Sequence, residues 1–241
     1  MQLNSAELSS PFAGQLFWKK VLPTFCFSLS IFLFACNNSK LETVLNYDED
    51  GNLMEKYTQE KETHLKQGLY TAYYSDGSLS EESRYENDTL NGKRKLYYES
   101  GQLQILENYN RGQFEGVYQA FYENGQLEQE GNYVANEMSG DWKRYFNTGE
   151  LMEVVAFKNN EENGPFKEYY KSGQLKTEGA YLGGDFEQGL LKKFDENGVL
   201  VQKMQCEHGI CRTIWTKEKG DIPLDKKYDE LISKVKDLDM H

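Results

Sequence analysis

The chain has 241 residues, 27 Lys+Arg against 39 Asp+Glu, and a net charge of −12. That acidity argues against nucleic acid and anionic membrane surfaces as partners, because both repel a negative protein, and a mean hydropathy of −0.77 excludes a multi-span membrane protein. Disorder is argued against by 17 Tyr, 13 Phe and 3 Trp, residues that disordered chains avoid.

The first 36 residues read as an address. Lys19 and Lys20 precede an apolar run from Val21 to Ala35, which ends at Cys36 and passes into the polar Asn37-Asn38-Ser39-Lys40. A run of that length with a positive flank is a signal-peptide core, too short to span a bilayer comfortably. A small residue followed by Cys resembles a bacterial lipobox. The resemblance implies acylation of Cys36 and cleavage before it, with 36–43 as a tether. Several acyl chains anchor stably, each buried CH₂ adding about 0.8 kcal/mol. Met1 to Trp18 look like neither signal n-region nor domain, and a start assigned too far upstream is the expected explanation. Removing residues 1–35 removes Glu7, Lys19 and Lys20 and shifts the net charge to −13.

Residues 44–211 are a repeat. Opening glycines recur at Gly68, Gly92, Gly116, Gly140, Gly164 and Gly189, a period of 24 and finally 25 residues, and such self-similarity marks a repeat architecture. Five positions on lies an aromatic column, Tyr73, Tyr97, Phe121, Tyr145, Tyr169 and Phe194; the next column is Tyr74, Tyr98, Tyr122, Phe146 and Tyr170, departing at Asp195. Then come turn glycines Gly77, Gly101, Gly125, Gly149, Gly173 and Gly198, a Leu column, and closing residues Tyr85, Tyr109, Tyr133, Phe157, Tyr181 and Cys206. A degenerate first unit carries Tyr47, Gly51 and Leu53. Asp, Asn, Ser or Thr before each turn glycine predicts a two-residue type I′ hairpin, and polar stretches such as 159–163 are expected to be longer connections. The fold expected is all-β: an extended open antiparallel sheet of about seven tandem 24-residue hairpins, roughly fourteen strands and 65 Å wide. The paired aromatic columns are expected on opposite faces, with Tyr73, Tyr97, Phe121, Tyr145, Tyr169 and Phe194 forming a stacked ladder.

Opening Gly, paired aromatics, x-Asn/Asp-Gly-x-Leu and a closing Tyr together resemble the bacterial MORN-variant repeat family. The Tyr-x-Gly-x-Trp opening of classical MORN repeats is absent, so the properties of the eukaryotic proteins do not carry over. The resemblance implies a hairpin-repeat fold. Relatives are often labelled antitoxins of toxin–antitoxin systems, and others look like envelope lipoproteins.

Residues 212–241 read as a cap. Cys206 and Cys211 flank Glu-His-Gly-Ile, so a disulfide across a hairpin, free thiols, and a redox or metal pair with His208 are the alternatives. Tyr228, Leu231, Ile232, Val235 and Leu238 recur at helical spacing after Pro223, which predicts a short amphipathic helix covering the sheet edge or docking a partner.

No catalytic constellation stands out: there is no Gly-x-Ser-x-Gly, phosphate-binding glycine loop or His-Glu-x-x-His. Glu82, Glu130 and Glu178 read as a solvated face, and the Asp/Asn-rich connections lack EF-hand spacing. No cofactor, metal or nucleic acid is expected. The function expected is a non-enzymatic lipoprotein scaffold, anchored through Cys36 in the bacterial envelope, at the outer membrane, and binding a basic protein. An antitoxin or immunity protein and a polysaccharide-binding module are the alternatives.

Overall fold

The computed structural model describes residues 40–223 and 226–238. The signal segment 1–35 and Cys36 lie outside the described residues.

The strands are β1 (Leu41–Tyr47), β2 (Leu53–Glu60), β3 (Lys66–Tyr73), β4 (Leu79–Glu86), β5 (Thr89–Leu90), β6 (Gly92–Tyr97), β7 (Leu103–Asn110), β8 (Gln113–Phe114) and β9 (Gly116–Phe121). They continue as β10 (Leu127–Val134), β11 (Glu137–Tyr145), β12 (Leu151–Lys158), β13 (Glu161–Tyr169), β14 (Leu175–Tyr181), β15 (Gly189–Phe194), β16 (Leu200–Glu207), β17 (Ile210–Thr216) and β18 (Gly220–Asp221), followed by helix α1 (Lys226–Leu238). All pairings are antiparallel and follow chain order. Both β5 and β6 pair with β4, and both β8 and β9 with β7, so each couple is one strand broken near its opening glycine. Strand β1 pairs with β2 and β18 with β17, leaving one open sheet of eighteen strands. It takes in residues 41–43 of the expected tether and 212–221 of the expected cap.

The two kinds of turn are exchanged relative to expectation. At Tyr74-Ser75-Asp76-Gly77 the Gly77 amide donates to Tyr74 O (2.9 Å) and the Tyr74 amide to Ser78 O (2.8 Å). Positive φ is confined to the glycine, at +77° to +97° across the six turns; Asp76, Ser100, Asn124, Thr148, Ser172 and Asn197 do not share it. These are three-residue loops closed by a left-handed glycine and a bulge, not type I′ turns. The register slips beside each one, as between Ala72 and Tyr73. The type I′ geometry lies at the other end, where Asn87-Asp88, Ala135-Asn136 and Asn159-Asn160 all have positive φ and strand pairing resumes immediately, as at Lys158↔Glu161. The connections at 87–88, 111–112, 135–136 and 159–160 are thus two-residue turns, whereas 182–186 is a longer loop in which the Leu182 amide donates to Phe186 O. Asn and Asp tolerate the left-handed region, so Asn87-Asp88 and Asn159-Asn160 serve without glycine, while Arg111-Gly112 and His208-Gly209 use one.

Both ends of the meander are stitched between repeats. At the loop end, the Tyr74 phenol donates to Tyr97 O (2.6 Å), Tyr98 to Phe121 O (2.8 Å), Tyr122 to Tyr145 O (2.8 Å) and Tyr170 to Phe194 O (2.9 Å). Asp195 breaks this column because its carboxylate caps its own turn, accepting from the Asn197 and Val199 amides; Asp48 does the same in the first unit. At the other end, Asp88, Asn136 and Asn160 side chains accept from the amides of Lys66, Phe114 and Met138, at 2.7–2.8 Å.

Burial is concentrated on one face. Tyr70, Trp142, Phe166 and Leu191, each two residues after an opening glycine, are at most 8% exposed. Cross-strand from this row lie Ser83, Glu107, Gly131, Val155 and Gly179. A Cβ at Gly131 would overlap the Trp142 indole, and one at Gly179 would come within 2.8 Å of the Phe166 ring. Two rings therefore lie flat on glycine backbone.

Helix α1 belongs to the same compact unit as the sheet. Ile232 is buried, Leu231 is 42% exposed, and the Tyr228 phenol reaches Gln205 O and Ile210 O (3.1 and 3.2 Å). Arg212 Nη2 donates to Pro223 O (2.6 Å), and its guanidinium lies 5.6 Å from the Tyr228 ring. The Tyr228 phenol docks the helix on β16 and β17, and Ile232 is buried; the Val235 and Leu238 side chains lie outside the described residues.

Candidate binding surface

Alternation along strands sorts the repeat columns onto two faces. The buried row and the closing residues Tyr85, Tyr109, Tyr133, Phe157 and Tyr181 share the first face. Among the described residues the ring contacts fall here: Tyr70–Tyr85 (5.7 Å), Tyr133–Trp142 (5.2 Å), Trp142–Phe157 (6.1 Å) and Phe166–Tyr181 (4.4 Å). Tyr73, Tyr97, Phe121, Tyr145, Tyr169 and Phe194 are half-buried and make none of these contacts. Instead the Tyr145 phenol donates to Glu130 (2.8 Å) and Tyr73 to Thr71 (3.1 Å). The stacking ladder was thus expected one row away from where it lies. The row two after each opening glycine, Tyr-Arg-Tyr-Trp-Phe-Leu, is too mixed for identity-based alignment to single out.

The first face changes character along the array. At its start the Lys66 ammonium lies 4.9, 4.8 and 5.3 Å from the Tyr57, Tyr70 and Tyr85 rings, a cation enclosed by three π faces. The Tyr70 phenol donates to Glu55 (2.7 Å); burial first, then that bond and charge, pushes Tyr70 well above the ordinary tyrosine range. One repeat on, Arg94 replaces the aromatic. Its guanidinium forks onto Glu81 (2.9 and 3.0 Å) and reaches Glu107 (3.2 Å), which also accepts from Tyr109 (3.1 Å). Glu107 is only 7% exposed, and Arg94 and Tyr109 supply its partners.

Further along, the face turns acidic. A shallow concavity of about 410 Å³ is lined by Phe166, Tyr181, Leu191 and Glu187 among others, with Lys176 and Lys193 bordering it. A smaller one of about 240 Å³ next to it includes Trp142, Glu153 and Glu162. Burial, then the charges of Glu153, Asp185 and Glu187, pushes the Glu162 carboxyl up. Burial and the charges of Glu162 and Glu187 push Tyr181 up to about 12. Glu153 pairs with Arg144 (3.3 Å) and Glu168 with Lys176 (3.5 Å).

On the second face Glu82, Glu130 and Glu178 are not merely solvated. Each pairs with a lysine of the adjacent strand: Lys95 (2.7 Å), Lys143 (3.4 Å) and Lys192 (2.7 Å). Leu106↔Gln119 and Val154↔Lys167 fill the intervening repeats. The lysines three after four of the six opening glycines, Lys95, Lys143, Lys167 and Lys192, were the available sequence signal. Burial pushes Glu130 up, but the Tyr145 hydrogen bond and Lys143 outweigh it and leave the carboxyl below its ordinary value.

Cys206 and Cys211 face each other across the His208-Gly209 turn and are disulfide-bonded, with Cα atoms 4.0 Å apart. Cys206 is fully buried against Val155, Phe166 and Leu191, occupying a closing-aromatic position. Among the described residues no group of three or more His, Cys, Asp or Glu is placed to hold a metal ion, and no helix is long and apolar enough to cross a membrane.

Comparison with known proteins adds the following. A family model described as MORN repeat variant matches residues 66–87, 90–111, 114–135, 138–159, 162–182 and 187–205. No curated protein matches the chain. Solved structures with similarity include the crystal structure of TcdB2-TccC3-TEV, at 10% identity and a TM-score of 0.23, covering 68% of this chain and 12% of that one. Another is a porin-like protein from Bacteroides uniformis, at 8% identity and a TM-score of 0.20, covering 72% of this chain and 92% of that one. This chain therefore spans about 12% of the first of these, and TM-scores that low carry no functional argument.

Proposed function

Since the chain belongs to the MORN repeat variant family, whose repeats build interaction scaffolds, we propose that it is a non-enzymatic lipoprotein scaffold, tethered in the bacterial envelope through acylated Cys36, that binds a basic protein. The observation that carries the reading is the first face: half-buried closing aromatics from Tyr85 to Tyr181 beside a buried row that Arg94 interrupts, with Glu162, Asp185 and Glu187 gathered near its later repeats. A net charge of −12 favours a positive partner and speeds encounter with it.

Two measurements test it. Metabolic palmitate labelling of wild type and Cys36→Ser should label the wild type alone; equal labelling removes the anchor. Crosslinking in intact envelopes should then capture a basic protein whose retention falls with ionic strength, because exposed charge pairs are screened beyond roughly 8 Å at physiological salt. Capture that ignores salt, or no capture at all, defeats the scaffold reading.

A further inference from the structure

The array contains a related arrangement twice, four repeats apart, with the charge at the lysine position reversed and Phe166 and Val155 standing where the first copy has Tyr70 and Tyr57. Lys66, Tyr70 and Tyr85 correspond column by column to Glu162, Phe166 and Tyr181, each 96 residues later. Val155 pairs with Phe166 where Tyr57 pairs with Tyr70. In the first copy the chain's own ammonium fills the aromatic enclosure, 4.8–5.3 Å from three ring centroids. In the second, Phe166 and Tyr181 stack at 4.4 Å, and the lysine position holds a carboxylate. Glu187 occupies the same column one repeat further on and lines the concavity of about 410 Å³ that Phe166 and Tyr181 floor. Among the described residues no cation pairs with Glu162, Asp185 or Glu187, whereas Glu153 and Glu168 already have Arg144 and Lys176.

We propose that the exposed side of Tyr181, backed by Phe166 and edged by Glu162 and Glu187, is a docking site for a lysine ammonium presented by the protein partner. Aromatic faces attract a cation through their quadrupole, and the carboxylates supply the opposite charge. The first copy shows the occupied state, with the cation provided in cis. The elevated Glu162 carboxyl fits a site whose counter-charge arrives from outside. This inference rests on the scaffold reading for the partner's class, and commits to lysine as the group recognised.

The test uses the full chain in mild detergent and saturation-transfer NMR with Nα-acetyl-lysine-methylamide, its neutral norleucine counterpart, and choline. The lysine probe should bind through its ε-methylene, the norleucine probe should not, and choline should bind no more tightly than lysine. Glu162→Gln with Glu187→Gln should weaken the lysine probe at least tenfold, equivalent to about 1.4 kcal/mol. Glu162→Lys, which places an ammonium where the first copy has Lys66, should abolish probe binding while raising the melting temperature. Equal binding of norleucine, tighter binding of choline, unchanged affinity in the double Gln variant, or full binding in E162K would each overturn the site. If the probe binds but no envelope protein is captured, the scaffold reading fails and the site stands. If a partner is captured and its retention is unchanged in E162K, the site fails and the scaffold reading stands.

Discussion

The phenol-to-carbonyl ladder has one missing rung, and filling it gives a sharp test of what joins the repeats. Tyr74, Tyr98, Tyr122 and Tyr170 each donate to the backbone carbonyl of the aromatic 23 or 24 residues later, at 2.6–2.9 Å. Phe146 occupies the remaining position, facing Tyr169, and has no hydroxyl. Phe146→Tyr should add the absent bond without displacing anything larger than water. A net hydrogen bond contributes about 0.5–1.5 kcal/mol, and half-burial of this column places the expectation near the middle, about 1 kcal/mol. The reverse change, Tyr122→Phe, should cost about the same, because the freed Tyr145 carbonyl lies at a half-buried loop end where water can partly replace the phenol.

In a chain of this size 1 kcal/mol corresponds to roughly 2–4 °C in melting temperature. Urea titration followed by far-ultraviolet circular dichroism and by tryptophan fluorescence, in a Trp215→Phe background so that Trp142 reports, would measure both variants. The second probe matters because repeat arrays lose two-state behaviour when one interface weakens. Tyr122→Phe should separate the two transitions, and Phe146→Tyr should bring them together. If Phe146→Tyr is neutral or destabilising while Tyr122→Phe costs nothing, the phenols merely fill space and the rung interpretation is wrong.

Three other outcomes follow from the first face and the last hairpin. Arg94→Met should destabilise by about 3–5 kcal/mol, since it leaves Glu81 and the buried Glu107 uncompensated; adding Glu107→Leu and Glu81→Leu should recover most of that loss, and no recovery in urea midpoints would mean packing rather than charge set the cost. Replacing Cys206 and Cys211 by Ser opens a loop of six residues and should cost about 2 kcal/mol by loop entropy, while thiol titration should find the pair reactive only after reduction. Tyr109, Tyr145 and Tyr181 are held up to about 12 against about 10 in an unfolded chain. Their folded values are raised, so their stabilisation is complete below about pH 10 and is lost as pH climbs toward about 12. Melting temperature should be flat from pH 8 to 9.5 and then fall, and a Tyr145→Phe variant should fall less steeply.

The repeat period, the hairpins and the all-β sheet were legible because 24-residue recurrence of Gly and aromatics survives any uncertainty about individual residues. The turn types were not. Asn-Gly and Asp-Gly fit both a two-residue type I′ turn and a three-residue loop ending in left-handed glycine, and the bulge at Tyr73/Leu79 that separates them is a property of register, not of composition. The stacking row was missed for a related reason. A column is conspicuous when its residues repeat, yet the buried row varies as Tyr, Arg, Tyr, Trp, Phe and Leu, because each member is fitted to a different cross-strand partner. Trp142 needs Gly131 beneath it, Phe166 needs Gly179, and Arg94 needs Glu107. The Lys66 and Glu162 exchange was likewise invisible until register placed Tyr57 beside Tyr70.

That register also explains why a sheet open on both faces holds together with so few buried side chains. A hairpin alone is marginal in water, and a layered domain would bury its rows beneath a second sheet or helices. Here the closures come from within the layer: rings lying flat on glycine, phenols reaching the next repeat's carbonyls, and turn carboxyamides reaching back to the previous repeat's amides. Phe166 on Gly179 closes a hairpin within one repeat, while Trp142 on Gly131, the phenols and the turn side chains span repeat boundaries, so stability accumulates with repeat number and neither face needs a cover. The ends are treated differently. Asp48 and Asp195 replace tyrosine where the phenol ladder stops, and helix α1 with the Arg212–Pro223 bond covers the C-terminal side. Strand β1, with exposed Leu45 and Tyr47, has no such cover among the described residues.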